Sequence, residues 1–106
     1  MVKRFEVYLV NLDPQPSKDA KNTRPAVVIS PDEMNDNLEN VIIAPLSSTK
    51  LQYPTRVPTQ FLNSERSIVL DQIKTVESRR LVKKIGEIDS NSQKEMLARL
   101  KELFAE

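Results

Sequence analysis

Apolar residues fall in short blocks parted by polar stretches, and only the last block has helical spacing. Phe5-Glu6-Val7-Tyr8-Leu9-Val10 mixes alternation with a β-branched and aromatic run, which predicts a strand stopped by Asn11-Leu12-Asp13-Pro14. Gln15 to Thr23 contains no apolar residue larger than alanine and predicts a long polar loop, the kind of segment that often carries function. Pro25-Ala26-Val27-Val28-Ile29 is uniformly apolar and predicts a strand buried on both faces. Ser30 as N-cap, Pro31 at the first helical position and Glu33 completing a capping box predict a short helix, ended by Asn35-Asp36-Asn37.

Val41 to Leu46 predicts the most central strand, bent or at an edge where Pro45 interrupts it. Tyr53 to Val57 predicts a weaker strand pairing antiparallel with that one. Ser67-Ile68-Val69-Leu70 begins another strand, continued through Asp71 to Val76. Ser78 to Leu81 reads as one helical turn, and Val82 to Ile88 as a strand around Gly86, the single glycine. Turns therefore fall to Pro, Asn, Asp and Ser. At the C-terminus either Ser90 with Gln93 or Ser92 with Glu95 forms a capping box. Met96, Leu97, Leu100, Leu103 and Phe104 then make one apolar stripe suited to packing on a sheet. Strands with isolated helices, rather than alternating β and α units, predict an α+β fold with a small curled, mainly antiparallel sheet, short helices and a C-terminal amphipathic helix.

The chain has 106 residues, 39% of them hydrophobic, which fits one domain over residues 1–106 with one core. Cysteine is absent, which excludes disulfides, thiol nucleophiles and zinc-thiolate sites. Histidine is absent too, which removes serine–histidine triads and histidine-pair nucleases. One glycine cannot build a phosphate-binding glycine loop or a dinucleotide fingerprint. No signal-peptide core precedes Val10, and the longest uncharged apolar run is far too short to span a bilayer, so a cytoplasmic protein is expected. Net charge is +1 but segregated: residues 31–49 carry −4 and residues 50–84 carry +5. A middle segment so basic suits phosphates or an acidic partner, and equally a solvated face.

No metal-ligand set is apparent and no cofactor is implied; Asp32, Glu33 and Asp36 read as helix-start acids. What remains is Arg24, at the exit of the polar loop, and the hydroxyl cluster Ser47-Ser48-Thr49 followed by Lys50. Each has a plain structural reading, as a strand-edge arginine and as turn chemistry. Both end strands that can be sheet neighbours, however, and an arginine fork beside a hydroxyl grips a phosphate.

Several runs, in this order, resemble the MazF/PemK toxin family: Val7 to Pro14, Thr23 to Ser30, Ile42 to Ser48, Tyr53-Pro54, Val69 to Val76, Arg80-Leu81 and Lys84-Ile85-Gly86. The resemblance implies a small curled barrel shared with the gyrase poison CcdB, assembled as a homodimer. It implies a metal-independent, sequence-specific endoribonuclease acting on single-stranded RNA, with no membrane role. Attack by the 2′-hydroxyl would leave 2′,3′-cyclic phosphate and 5′-hydroxyl ends, and an acidic MazE-like antitoxin would cover the RNA groove. Carried across by position, the catalytic arginine is Arg24 and the hydroxyl is Ser47, with Asp19 or Asp71 as the base. RNA binding is expected of Lys18, Lys21, Asn22, Ser48, Lys50, Gln72 and Lys74. Arg79, Arg80, Lys83 and Lys84 are expected to face the antitoxin or solvent. The chain departs from the family pattern at Phe5, where glycine is usual, at Ser17-Lys18-Asp19, where the loop commonly has glycine-serine-glutamate, and at Ser47, where threonine is frequent. The alternative is a non-catalytic binder of the same fold, either gyrase-poison-like or an inactive antitoxin-bound remnant. A gyrase-poison mode is disfavoured because the C-terminal end, Leu103-Phe104-Ala105-Glu106, has no tryptophan.

Overall fold

A computed structural model describes residues 1–13, 22–49 and 53–106. Among the described residues seven strands and two α-helices follow one another: β1 (Glu6–Asn11), β2 (Thr23–Val28), α1 (Asp32–Asn37), β3 (Asn40–Ser47), β4 (Arg56–Phe61), β5 (Ser64–Val69), β6 (Lys74–Glu77), β7 (Leu81–Glu87) and α2 (Ser90–Leu103). All the pairings are antiparallel, in the order β4-β5-β3-β2-β1-β7, with β6 beside β3. This is the curled antiparallel sheet with short helices that the sequence pattern predicts.

The curl comes from β3, which pairs with β2, β5 and β6. Its first half, through Ile43, lies against β6, and its last two residues lie against β5. Pro45 stands between these two pairings, so the residue with no N–H occupies the place where the strand changes partner. Val7, Val27, Ala44, Leu46, Val57, Ile68, Leu70 and Met96 fill the core on one face, closed by α2. On the other face Val10, Ala26, Val28, Val41 and Ile43 form a second cluster, edged by Tyr8, Leu12, Val76 and Leu81. β2 thus buries side chains in both directions, as its uniform apolarity requires.

Five local expectations are corrected. Ser30 does not cap α1: its hydroxyl donates to Asn35 Oδ1 and accepts from the Ile42 amide at 3.0 Å, and the cap position falls on Pro31 without a side-chain bond. The pairing expected of Tyr53 to Val57 does not form either. Tyr53 to Thr55 make a turn, and β4 begins at Arg56 and pairs with β5 alone. The run from Ser67 to Val76 is broken by a 3₁₀ turn over Leu70–Gln72, which buries Leu70 in the core. On α2, Asp89 is the cap in place of either serine, accepting from the Ser92 amide at 2.7 Å. The α2 stripe packs only at Met96 and Leu100, and Phe104 is 71% exposed.

Positive φ appears at Phe5 (78°), at Leu62 and Asn63, which form the two-residue turn between β4 and β5, and at Gly86 (151°). Phe5 therefore adopts, just before β1, the left-handed backbone that glycine takes without strain. Two bonds hold it there, from its own amide to the Val28 carbonyl (2.8 Å) and from the Ile88 amide to its carbonyl (3.1 Å). A further strut comes from α2. Arg99 Nη1 donates to the carbonyls of Tyr53, Pro54 and Arg56, at 3.3, 3.2 and 2.7 Å, fixing the approach to β4. One end strand of the path, β4, carries the exposed Pro58 at its middle.

Candidate functional site

Arg24 is the second residue of β2, opposite Val10 of β1, and it is exposed. The β2–β3 register pairs Ala26 with Pro45, Val27 with Ala44 and Val28 with Ile43. Continued by two residues, that register sets Arg24 across from Ser47. Directly opposed residues on neighbouring strands have Cβ atoms about 4.5–5.5 Å apart and share a face of the sheet. By this count the arginine and the half-buried serine lie at the same end of β2 and β3, two residues past the last paired position, Ala26–Pro45.

Local hydrogen bonds prepare this area. The Thr49 amide donates to Ser47 Oγ at 3.1 Å, which occupies a lone pair of the hydroxyl and leaves its proton free to donate elsewhere. Ser67, buried on β5 directly opposite Ser47, donates from Oγ to the Thr49 carbonyl at 3.3 Å. The base of the loop is fixed from the other side. Leu12 N–H donates to the Asn22 carbonyl at 2.8 Å, and buried Asn11 accepts from the Asp13 amide through Oδ1, also at 2.8 Å. Arg80 Nη1 donates to the carbonyls of Asn11 (3.1 Å) and Asp13 (2.6 Å).

The remaining sequence-derived candidates divide. Asn22 and Ser48 are exposed at the same end as Arg24 and Ser47. Lys18, Asp19, Lys21 and Lys50 lie outside the described residues. Asp71 is held in the 3₁₀ turn after β5, where Oδ1 accepts from Thr55 Oγ1 at 3.1 Å and faces Arg56 Nε at 3.5 Å. Gln72 is exposed in the same turn, and exposed Lys74 on β6 lies opposite Ile43. Ile43 is four residues from Ser47 along β3, roughly 13 Å at the usual rise of a strand. Asn22, Arg24, Ser47 and Ser48 thus lie at the same end of β2 and β3, whereas Lys74 lies opposite Ile43 and Asp71 and Gln72 sit in the 3₁₀ turn before β6.

Three of the four basic residues expected to face an antitoxin or solvent have partners in this chain. Arg80 clamps the loop base, Arg79 Nε pairs with Glu77 at 2.9 Å, and Lys84 Nζ reaches Glu6 at 2.5 Å. Burial pushes the Glu6 carboxyl up, but bonds from Lys84, the Lys3 amide and Tyr8 outweigh it and hold Glu6 below its ordinary range. Ser67 and Arg80 are the site-building residues that a linear reading misses, because each donates to a main-chain carbonyl brought close only by the fold. Among the described residues no three His, Cys, Asp or Glu side chains converge as a metal set, and no helix is long and apolar enough to cross a membrane. A separate open cleft of about 1120 Å³ runs between α2 and the β4–β5 hairpin, and its lining mixes Arg56, Arg66 and Arg99 with Glu65, Glu95 and Glu102.

Known proteins share this architecture. Endoribonuclease MazF of Staphylococcus saprophyticus is 30% identical over 102 residues, covering 91% of this chain and 85% of its own. Among solved structures, an endoribonuclease in complex with its cognate antitoxin from a Mycobacterial species superposes with a TM-score of 0.82 at 19% identity, over 96% of this chain and 93% of that one. MazF from Deinococcus radiodurans gives 0.77 at 22% identity, over 96% and 94% of the two chains. The MazE–MazF complex of the same organism gives 0.78 at 19%, over 98% and 95%. At these identities the solved structures speak for the fold. Residues 3–104 match the family model for the PemK-like, MazF-like toxin of type II toxin–antitoxin systems, and the chain belongs to that family.

Proposed function

We propose that this chain is the toxin endoribonuclease of a type II toxin–antitoxin pair, cutting single-stranded RNA with Arg24 and Ser47 at the phosphate that is cleaved. The carrying observation is the β2–β3 register, which, continued, sets the exposed arginine across from a serine whose hydroxyl proton is free to donate. In the proposed reaction the 2′-oxygen attacks the neighbouring phosphorus while its proton passes to a carboxylate. The P–O5′ bond breaks, and the departing 5′-oxygen takes up a proton. The products are a 2′,3′-cyclic phosphate and a 5′-hydroxyl.

Charge builds on the non-bridging oxygens during this step. A guanidinium fork aimed at them, with a serine hydroxyl as second donor, stabilises that charge without rearrangement. The proton acceptor is Asp19 or Asp71, and the separate Asn variants at these positions distinguish the two. Lys18, Lys21, Lys50 and Lys74 would contribute salt-dependent phosphate contacts, with Ser48 beside the cleaved phosphate. Asn22 and Gln72 would read the edges of unstacked bases. The same reading takes the active species as a homodimer, inhibited by an acidic MazE-like antitoxin and needing no metal.

The test incubates purified protein with a long, weakly structured RNA in EDTA and maps the cut ends. Discrete cuts with 5′-hydroxyl ends are expected. R24A should slow them by at least about 100-fold, as loss of one preorganised donor typically does, with the fold and oligomeric state unchanged. Wild-type cleavage by R24A would refute the assignment. Intact RNA at high protein concentration would favour the non-catalytic binder.

A further inference from the structure

We infer that Ser67 is a positioning residue for the cleavage step, holding the Ser47 hydroxyl in its donating orientation through Thr49. The inference rests on the reading of Ser47 as a phosphate donor and goes one residue beyond it. Ser67 is a hydroxyl in an apolar setting: it is 7% exposed, and Ile68, Val69 and Leu70, which follow it, are all buried. A buried polar group in such a place needs a partner, and the partner found is the Thr49 carbonyl at 3.3 Å. The amide of that same Thr49 donates to Ser47 Oγ at 3.1 Å. The carbonyl and amide of one exposed residue thus link two serines that already face each other across β3 and β5.

Ser47 is the last residue of β3, and Ser48 and Thr49 beyond it are exposed and outside the sheet. Without the bond from Ser67, the anchor on the Thr49 peptide groups is lost and Thr49 N–H leaves Ser47 Oγ. The serine hydroxyl then samples its three staggered rotamers, of which one aims at the phosphate. Productive geometry is diluted by a factor of about three from this alone, and by more when the 47–49 turn itself drifts. RNA binding, which depends on many phosphate contacts, should hardly change.

The test compares S67A, S67T, S47A and S47A/S67A. Single-turnover cleavage is measured on an RNA substrate, affinity on the same RNA with a 2′-deoxy sugar at the cut site, and folding by thermal melts. For S67A we expect the cleavage rate to fall roughly 3–10-fold, with the deoxy-RNA Kd and the melting temperature near wild type. S67T restores the rate, because its hydroxyl can remake the bond to Thr49. In the S47A background the Ser67 change adds nothing, since nothing remains to be oriented. Wild-type cleavage by S67A beside an impaired S47A overturns the role of Ser67 and leaves the site intact. Wild-type cleavage by S47A overturns the reading of the site itself. A loss in S67A that multiplies with S47A, or that tracks a lowered melting temperature, reduces Ser67 to an ordinary buried serine and also overturns the inference.

Discussion

Gly86 offers a quantitative test of how the sheet closes. It lies on β7 opposite Val7, where the β1–β7 register shifts by a residue, and its φ is 151°. A Cβ built there would sit 2.9 Å from Phe61 Cε1 and 3.0 Å from Phe61 Cζ. Phe61 comes from β4, at the opposite end of the strand path from β7, so a ring on a bare Cα joins the two ends of the curl. Gly86→Ala acts twice. It holds an L-residue in a backbone region that costs on the order of 1–3 kcal/mol. It also displaces a ring that is 8% exposed, an overpacking worth about 1–3 kcal/mol more. The expected loss is therefore about 2–6 kcal/mol, against a total stability of about 5–15 kcal/mol. Urea unfolding followed by far-UV circular dichroism, at one fixed protein concentration, reads it as a shift in midpoint at constant slope. The double variant F61L/G86A should recover the steric part and retain the backbone part, a coupling between contacting residues. A G86A unfolding free energy within about 0.5 kcal/mol of wild type, the scatter of ordinary surface changes, would refute the close approach.

The Glu6 cluster sets a pH dependence. The carboxylate of Glu6 accepts from the Lys3 amide (2.7 Å) and Tyr8 Oη (3.1 Å) and pairs with Lys84, so its folded pKa lies below the ordinary 4.5. A depressed acid stabilises above its unfolded pKa, and that contribution is lost as pH falls below about 4.5. On the alkaline side, the bond to Glu6 raises Lys84, while burial and the charge of Glu6 raise Tyr8, so their share is lost as pH climbs past about 10. E6Q should flatten the acid limb of stability against pH, and an unchanged acid limb would show that Glu6 does not carry it. D89A removes the α2 cap and should cost about 1–2 kcal/mol, whereas S90A should be nearly silent in the same urea titration. Equal losses from the two variants would contradict the cap.

The strand blocks were legible because burial follows hydropathy. Val27, Val41 and Ile68 are apolar in sequence and fully buried in the fold. Pairing partners were less so. Leu62-Asn63 turns the β4–β5 hairpin with positive φ at both residues, yet lacks the glycine that marks such turns, and Pro58 argues against a strand. The broken run at Leu70–Gln72 was hidden too, because the need to bury Leu70 while Asp71 reaches Thr55 exists only in three dimensions. The α2 cap was missed by one residue from Ser90 and three from Ser92, since Asp and Ser are almost equal as N-caps and local spacing does not rank them. At the candidate site, Arg24 and Ser47 stood out as polar residues ending apolar runs. Arg80 and Ser67 did not, because arginine in a basic stretch and serine in a strand carry no linear sign of a distant carbonyl.

The lone edge of β4 has a consequence for how copies of this chain meet. A two-residue turn makes Phe61 and Ser64 the hydrogen-bonded closing pair, and alternation then turns the backbone of Pro58 outward. An incoming strand would find no donor at the centre of that edge. Growth of the sheet from one molecule into the next is thereby discouraged, and contacts between copies at this end of the molecule fall to side chains. One imino acid in mid-strand thus guards this edge against strand addition between copies.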